Sequence, residues 1–402
     1  MAPSTETLQQ RLRGGLEQIR AAQRYRLRRV VEGGHGAQLR VDGRACLNFC
    51  SNDYLGLAAD PRIAAAARTA LADGTGSGAA ALVSGYNREH QALEAALAEF
   101  LQRPRALLFS TGWAANLGVL RALLGKRDVL IADELNHASL IDGGRLSGAR
   151  YVRVPHADVD ACARELQALA AEEIEPARLK LLVTDGIFSM DGDAAPLPAW
   201  SQLAQAHGAA LMVDDAHGFG VLGAQGLGLV EHCGIAAPEI QVGTLGKSLG
   251  CAGAFVVGDE DLIEYLIQRA RSWVFSTAPP PALAAAARAA LAIVAGEDGA
   301  ERRRTLFALL RRFREGCAQQ GIALMPSETP IQPLVLGDEA RALSLSRFLL
   351  ERGLWVAAIR PPTVPPGTSR LRITLSAAHT PAQIDRLIDA LAEGLRQLGP
   401  AP

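Results

Sequence analysis

Reactive side chains recur in this sequence where apolar runs end. "LMVDDAHG" (211–218) closes one run on Asp214 and Asp215, with His217 just beyond. "IQVGTLGKSLGCAGA" (240–254) sets Lys247 among Gly246, Ser248 and Gly250. "ELNHASLIDG" (134–143) carries His137, and "TDGIFSMDGD" (184–193) carries Asp185 and Ser189. "STGWAANLG" (110–118) is a turn of small residues entering a helix, a place where backbone amides can hold an anion. Each has an ordinary alternative: a turn aspartate, a structural histidine, a helix cap at Ser110 or Thr111. Two acids followed by His and Gly fit that alternative less well, because a carboxylate ending an apolar run is costly to desolvate unless it meets a cation.

Gly246-Lys247-Ser248 looks like the end of a nucleotide phosphate loop, which requires G-x-x-x-x-G-K-[ST] before a helix. The first glycine would have to be residue 241, which is Gln241, and the residues after Ser248 are glycine-broken and then strand-like. "GFGVLG" (218–223) formally matches G-x-G-x-x-G, but "DDAH" separates it from the strand and "GAQGLG" cannot sustain the helix that should follow. Both nucleotide readings fail on context.

The elements that must position these residues alternate. Short apolar strands are expected at 106–109, 128–132, 151–154, 180–185, 210–214 and 240–244, with helices between most of them, for instance 113–124 and 158–170. Such alternation predicts an α/β fold, a mostly parallel sheet with helices on both faces, whose ligands gather beyond the C-terminal strand ends. Residues 5 to 31 predict an amphipathic helix with Leu8, Leu12, Leu16 and Ile19 on one stripe. Residues 37–49 predict a hairpin around Asp42-Gly43. After 285 the pattern becomes α+β. The expected organisation is an N-terminal arm (1–50), a large α/β domain (51–285) and a small C-terminal α+β domain (286–402).

The chain has 402 residues, with 41 Lys and Arg against 42 acids, so nothing in its charge calls for nucleic acid or an acidic membrane as partner. The arginines of "RYRLRR" (24–29) read either as a solvated helix face or as a site for an anionic substrate group. Six cysteines without a CxxC pair argue against structural zinc and for a reducing compartment. No signal core or membrane-length apolar run is seen, so the expected location is the cytoplasm and no metal is expected.

An anion cradle, an aspartate, two histidines and a lysine at one sheet edge are what pyridoxal 5'-phosphate (PLP) requires. A lysine amine can form a Schiff base with the aldehyde, and an acid can keep the pyridine nitrogen protonated so that the ring draws electrons from a carbanion. At these residues the chain resembles the α-oxoamine synthases, PLP enzymes of the aspartate-aminotransferase fold (type I). The resemblance runs from about residue 20 to 395 through "NFCSNDYLGL", "GSG…LVSGYNREHQALE", "NHASLIDG", "FSMDGD", "VDDAHGFGVLG" and "TLGKSLGCAGA". It implies that Lys247 is the Schiff-base lysine and that Asp214 pairs with the pyridine nitrogen. His137 would stack on the ring. His217 and Ser189 would bond its phenolic oxygen or nearby groups, and Gly112, Trp113 and Thr244 would hold its phosphate. Arg26 would contact the thioester substrate, His137 and Thr363 would also contact substrate, and Arg372 would bind the amino-acid carboxylate; Lys247, His137 and Asp214 would be the catalytic residues.

"AIRPPTVPPGTSRLRITLSAAHT" (358–380) most resembles the branch that condenses L-alanine with a pimeloyl thioester, on coenzyme A or acyl carrier protein, in biotin biosynthesis. The sister branch that joins glycine to acetyl-CoA is the nearest alternative. The family forms homodimers with the site at the subunit interface, and "FSTAPPP" (275–281) resembles the segment that reaches the partner's phosphate.

Overall fold

The computed structural model describes residues 6–171 and 179–399. They form two compact units. One holds the described residues up to Ser51, Leu309–Leu375 and those from His379 on; the other holds Asn52–Ala308 and Ser376–Ala378.

The larger unit is built on a seven-stranded sheet. Its order is Arg105–Phe109, Ala254–Gly258, Ile240–Thr244, Ala210–Asp214, Lys180–Asp185, Val129–Asp133, Arg150–Val154. Only Ala254–Gly258 runs against its neighbours. The strands expected from apolar runs lie within a residue or so of their predicted places. Their near-continuous hydrophobicity follows from burial on both faces: Leu181, Leu182, Val183, Met212 and Val213 are all fully buried. The helices Gly112–Leu123 and Glu260–Arg269 add Ala115, Val119, Leu120, Ile263 and Leu266 to that core.

In the smaller unit, Gln38–Val41 and Arg44–Asn48 form the expected hairpin. Asp42 and Gly43 both have positive φ (49° and 78°), as a two-residue primed turn demands. The hairpin pairs with Val31–Glu32 on one side and with Leu354–Trp355 on the other. A second sheet joins Ile331–Gly337, Ser369–Thr374 and Ala357–Ile359, and the helices Glu339–Glu351 and Pro381–Leu398 pack together.

Two boundaries differ from the sequence-based division. The arm is not separate: the pairing of Leu47 and Asn48 with Leu354 and Trp355 ties it to the C-terminal part. The alanine-rich helix Pro281–Ala295 stays with the large unit, because its small buried side chains let it pack on Pro61–Ala70 and Arg88–Phe100. The N-terminal helix is also shorter than the predicted 5–31. It covers Leu8–Ala21, opened by a Thr7–Gln10 capping box, and its apolar stripe of Leu8, Leu12, Leu16 and Ile19 is exposed.

Candidate active site

Parallel strands deliver their last residues to one edge, and the large unit uses this three times. Asp185 and Asp214 end neighbouring strands in register, and Asp214 faces Val242, two residues before Thr244. Around them lies an open cleft of about 560 Å³ lined by Gly112, Trp113, Asn116, His137, Ser139, Asp185, Ser189, Asp214, Ala216, His217, Thr244 and Lys247. All eight residues expected from sequence to bind a cofactor are therefore in one place. Arg26, Thr363 and Arg372 belong to the smaller unit. There Arg26 Nη2 donates to Thr363 Oγ1 at 3.1 Å, and Arg372 is buried in the strand Ser369–Thr374.

Asp214 is held by two donors: Asn116 Nδ2 to Oδ2 at 2.6 Å and the Ala216 amide to Oδ1 at 3.1 Å. Asp185 lies beside it, fully buried. Burial, and then the nearby Asp214 charge, push its carboxyl well above the ordinary range. Asp185 Oδ2 accepts the His137 amide at 2.7 Å. Burial also holds the His137 imidazole below its usual value; Asp214 opposes this and Lys247 adds to it. The indole of Trp113 meets the His137 ring edge-on, with centroids 6.2 Å apart.

The anion cradle follows from helix-end chemistry. Thr111 caps the helix Gly112–Leu123, its hydroxyl accepting the Ala114 amide at 3.0 Å and its carbonyl the Ala115 amide. Among the described residues this leaves the amides of Gly112 and Trp113 without a protein acceptor, at the positive end of a helix. A Cβ at Gly112 would meet no protein atom within 4 Å, so the space above it is open. The Thr244 hydroxyl donates to the Gly253 carbonyl at 3.1 Å and would have to turn to serve an anion.

Sequence reading missed Tyr54, Asn116 and Ser139. Tyr54 Oη lies 2.6 Å from His217 Nδ1 and also within reach of Asn52 Oδ1, at 3.2 Å. Asn116 and Ser139 sit inside stretches already singled out, but an Asn within a helix and a Ser in a first turn carry no spacing signal. Asn116 Oδ1 is buried without a partner among the described residues.

Residues 44–391 match the family described as aminotransferase class I and II. The 8-amino-7-oxononanoate synthase of Thioalkalivibrio sulfidiphilus is 55% identical, over 96% of this chain and 97% of its own. That of Methylococcus capsulatus is 56% identical, over 95% and 97%. This chain belongs to the 8-amino-7-oxononanoate synthase family and is an enzyme. Among solved structures, a serine palmitoyltransferase from S. paucimobilis with a bound PLP–myriocin adduct superposes with a TM-score of 0.92 at 30% identity, covering 98% of this chain and 100% of that one. A crystal structure of 8-amino-7-oxononanoate synthase from Francisella tularensis gives 0.74 at 30% identity, covering 88% and 98%. The fold is thus that of the type I PLP-dependent enzymes. No helix among the described residues is long and apolar enough to cross a membrane.

Proposed function

We propose that this enzyme condenses L-alanine with a pimeloyl thioester, releasing carbon dioxide and the free carrier thiol and giving 8-amino-7-oxononanoate, with PLP held in the cleft of the large unit. The observation that carries this reading is the gathering of Lys247, Asp214, His137 and two unpartnered helix-end amides around one open cleft. The residues fit the cofactor in kind: an amine for its aldehyde, a carboxylate for its pyridine nitrogen, an imidazole for its face, amides for its phosphate.

When bound, PLP supplies an aldehyde carbon and a ring that accepts electrons from a neighbouring carbanion. Lys247 Nζ is the amine that would hold it covalently and the base that would take the alanine α-proton. Asp214, oriented by Asn116 and the Ala216 amide, would keep a proton on the pyridine nitrogen. Gly112 and Trp113 would hold the phosphate, with Thr244 turned to assist. Ser189 and His217, the latter bonded to Tyr54, would serve the phenolic oxygen and its surroundings. Arg372 is suited to the alanine carboxylate, since a guanidinium fork meets both oxygens. Arg26 and Thr363, already paired, would meet the thioester substrate.

We also propose a homodimer. The bridge between Ala80 and Thr277 joins two segments of the large unit that carry Val83 and Phe275, which are 78% and 71% exposed, an apolar surface suited to a second copy. The compartment we propose is the cytoplasm.

Carbon dioxide release from carboxyl-labelled alanine with pimeloyl-CoA tests the reaction, with glycine and acetyl-CoA as the competing pair. Alanine and the pimeloyl thioester should turn over faster; the reverse preference would transfer the enzyme to the glycine-using branch.

A further inference from the structure

Four side chains of the large unit touch in sequence: His137, Ser139, Asn116 and Asp214. His137 Nδ1 lies 2.7 Å from Ser139 Oγ, Ser139 Oγ lies 2.9 Å from Asn116 Nδ2, and Asn116 Nδ2 lies 2.6 Å from Asp214 Oδ2. We propose that Ser139 and Asn116 are positioning residues, which lock His137 as the neutral imidazole with its proton on Nε2 and hold Asp214 in place through one hydrogen-bonded chain.

The direction of the bonds is worked from the two ends, Asp214 and the Ser139 amide. An Asp214 carboxylate only accepts, so the Asn116 group facing it is the amide nitrogen. That nitrogen has two protons; the second goes to Ser139 Oγ. Ser139 Oγ accepts from Asn116, and because the Ser139 amide donates to His137 Nδ1, that nitrogen presents a lone pair to which the Ser139 hydroxyl proton can also turn. The Ser139 amide approaches the same nitrogen at 3.3 Å, so His137 is also the N-cap of the helix Ala138–Ser147. Two donors at Nδ1 leave no place for a proton there. The positive end of that helix further disfavours an imidazolium.

The other groups facing His137 do not reverse this. Asp214 favours a charge on it, while Lys247 and burial disfavour one, with burial the largest effect. Asp185 is already engaged by the His137 amide, and Trp113 contributes an aromatic edge. With Nδ1 occupied, Nε2–H is the polar group His137 has left to offer in the cleft. At the far end, the Asn116 bond holds Asp214 Oδ2, and Asn116 Oδ1 is without a partner among the described residues. The inference rests on the cofactor reading only for its catalytic consequence.

The test is nitrogen-15 NMR of the full-length, cofactor-free protein, with the His137 signals assigned by their loss in His137→Gln. Wild type should show Nδ1 unprotonated and Nε2 protonated from about pH 8 down to about pH 6. Ser139→Ala, which deletes one atom, should expose both tautomers and raise the His137 midpoint by roughly one pH unit. A wild-type signal protonated on Nδ1, or a Ser139→Ala spectrum identical to wild type, would overturn the tautomer lock. In the PLP-loaded enzyme, Asn116→Ala should lower kcat roughly tenfold or more and leave KM for alanine within about twofold. An unchanged kcat would remove Asn116 from its positioning role. The NMR arm needs no cofactor, so its failure and a failure to bind PLP are separate results.

Discussion

Replacing His156 with Gln should weaken the fold markedly near pH 7 and hardly at all near pH 10. His156 lies between two carboxylates, with Nδ1 3.1 Å from Asp133 Oδ1 and Nε2 2.7 Å from Asp193 Oδ2, and its ring meets Phe188 edge-on. Burial opposes a charge on the ring, but the bonds to Asp133 and Asp193 outweigh it and hold the imidazolium up to about 10, against an ordinary 6.5. A group whose folded value is raised adds stability that is complete below the unfolded value and is lost as pH climbs through the folded one. Each unit is worth about 1.4 kcal/mol, so the ceiling is roughly 4–5 kcal/mol below pH 6.5, declining steadily to zero near pH 10. The side chain is 23% exposed, and solvent screening trims this to a few kcal/mol. Asp133 keeps the Leu135 and Ala157 amides in the variant, which helps it fold. Urea midpoints of wild type and His156→Gln, measured at intervals from about pH 6 to pH 10, should converge as pH rises. A constant gap, or a His156 titration below about pH 7.5 by NMR, would refute the reasoning.

Lys247→Arg should lose both covalent capture of PLP and turnover, because guanidinium is neither a usable nucleophile nor a base near neutral pH; borohydride reduction and peptide mapping should place the label on Lys247 in wild type alone. Asp214→Asn should still bind PLP but turn over roughly a hundredfold slower or worse, since an amide cannot keep the pyridine nitrogen protonated; near-normal turnover at saturating PLP would refute that role. Arg26→Ala should raise KM for the pimeloyl thioester roughly tenfold or more, the worth of a charge-assisted bond, and leave alanine binding unchanged. Gly250→Ala should yield little folded protein: φ is +64°, and the new Cβ would meet the backbone of Ala58, with Cα at 2.6 Å.

Much of the large unit was legible because its strands are buried on both faces and so read as bare apolar runs. Lys180–Asp185, Ala210–Asp214 and Ile240–Thr244 could be bounded from sequence, and the residues ending them reached the cleft edge by geometry alone. The N-terminal helix shows the limit. Periodicity gives Leu8, Leu12, Leu16 and Ile19 a common face but says nothing of what covers it, and in the single chain that face is open. The alanine-rich helix Pro281–Ala295 shows another, since small side chains fit helix packing anywhere and only the contacts assign it to a unit. Asn116 meets Ser139 and Asp214 from 23 and 98 residues away, a distance over which no local pattern carries information.

The two stretches that imitate nucleotide motifs have a common physical explanation, which is that they pack on each other. Ser248, which a phosphate loop would turn toward a bound metal, is buried, and its hydroxyl donates to the Phe219 carbonyl at 2.6 Å. Gly220 must be glycine because its φ is +80° and a Cβ would stand 2.6 Å from that same Ser248 oxygen. The neighbouring glycines answer to Asp215: a Cβ at Gly218 or Gly228 would collide with its carboxyl group. Asp215 Oδ2 accepts the Leu229 amide at 2.8 Å, while Oδ1 is buried without a partner among the described residues. Burial pushes this carboxyl up to about 8, so near pH 7 it is mostly neutral and the loop folds over an acid that carries its proton. Glycines dictated by an uncharged buried carboxyl and a serine spent on a backbone carbonyl leave Lys247 as the stretch's reactive group, and its chemistry is that of an amine beside a cleft rather than a charge beside a nucleotide.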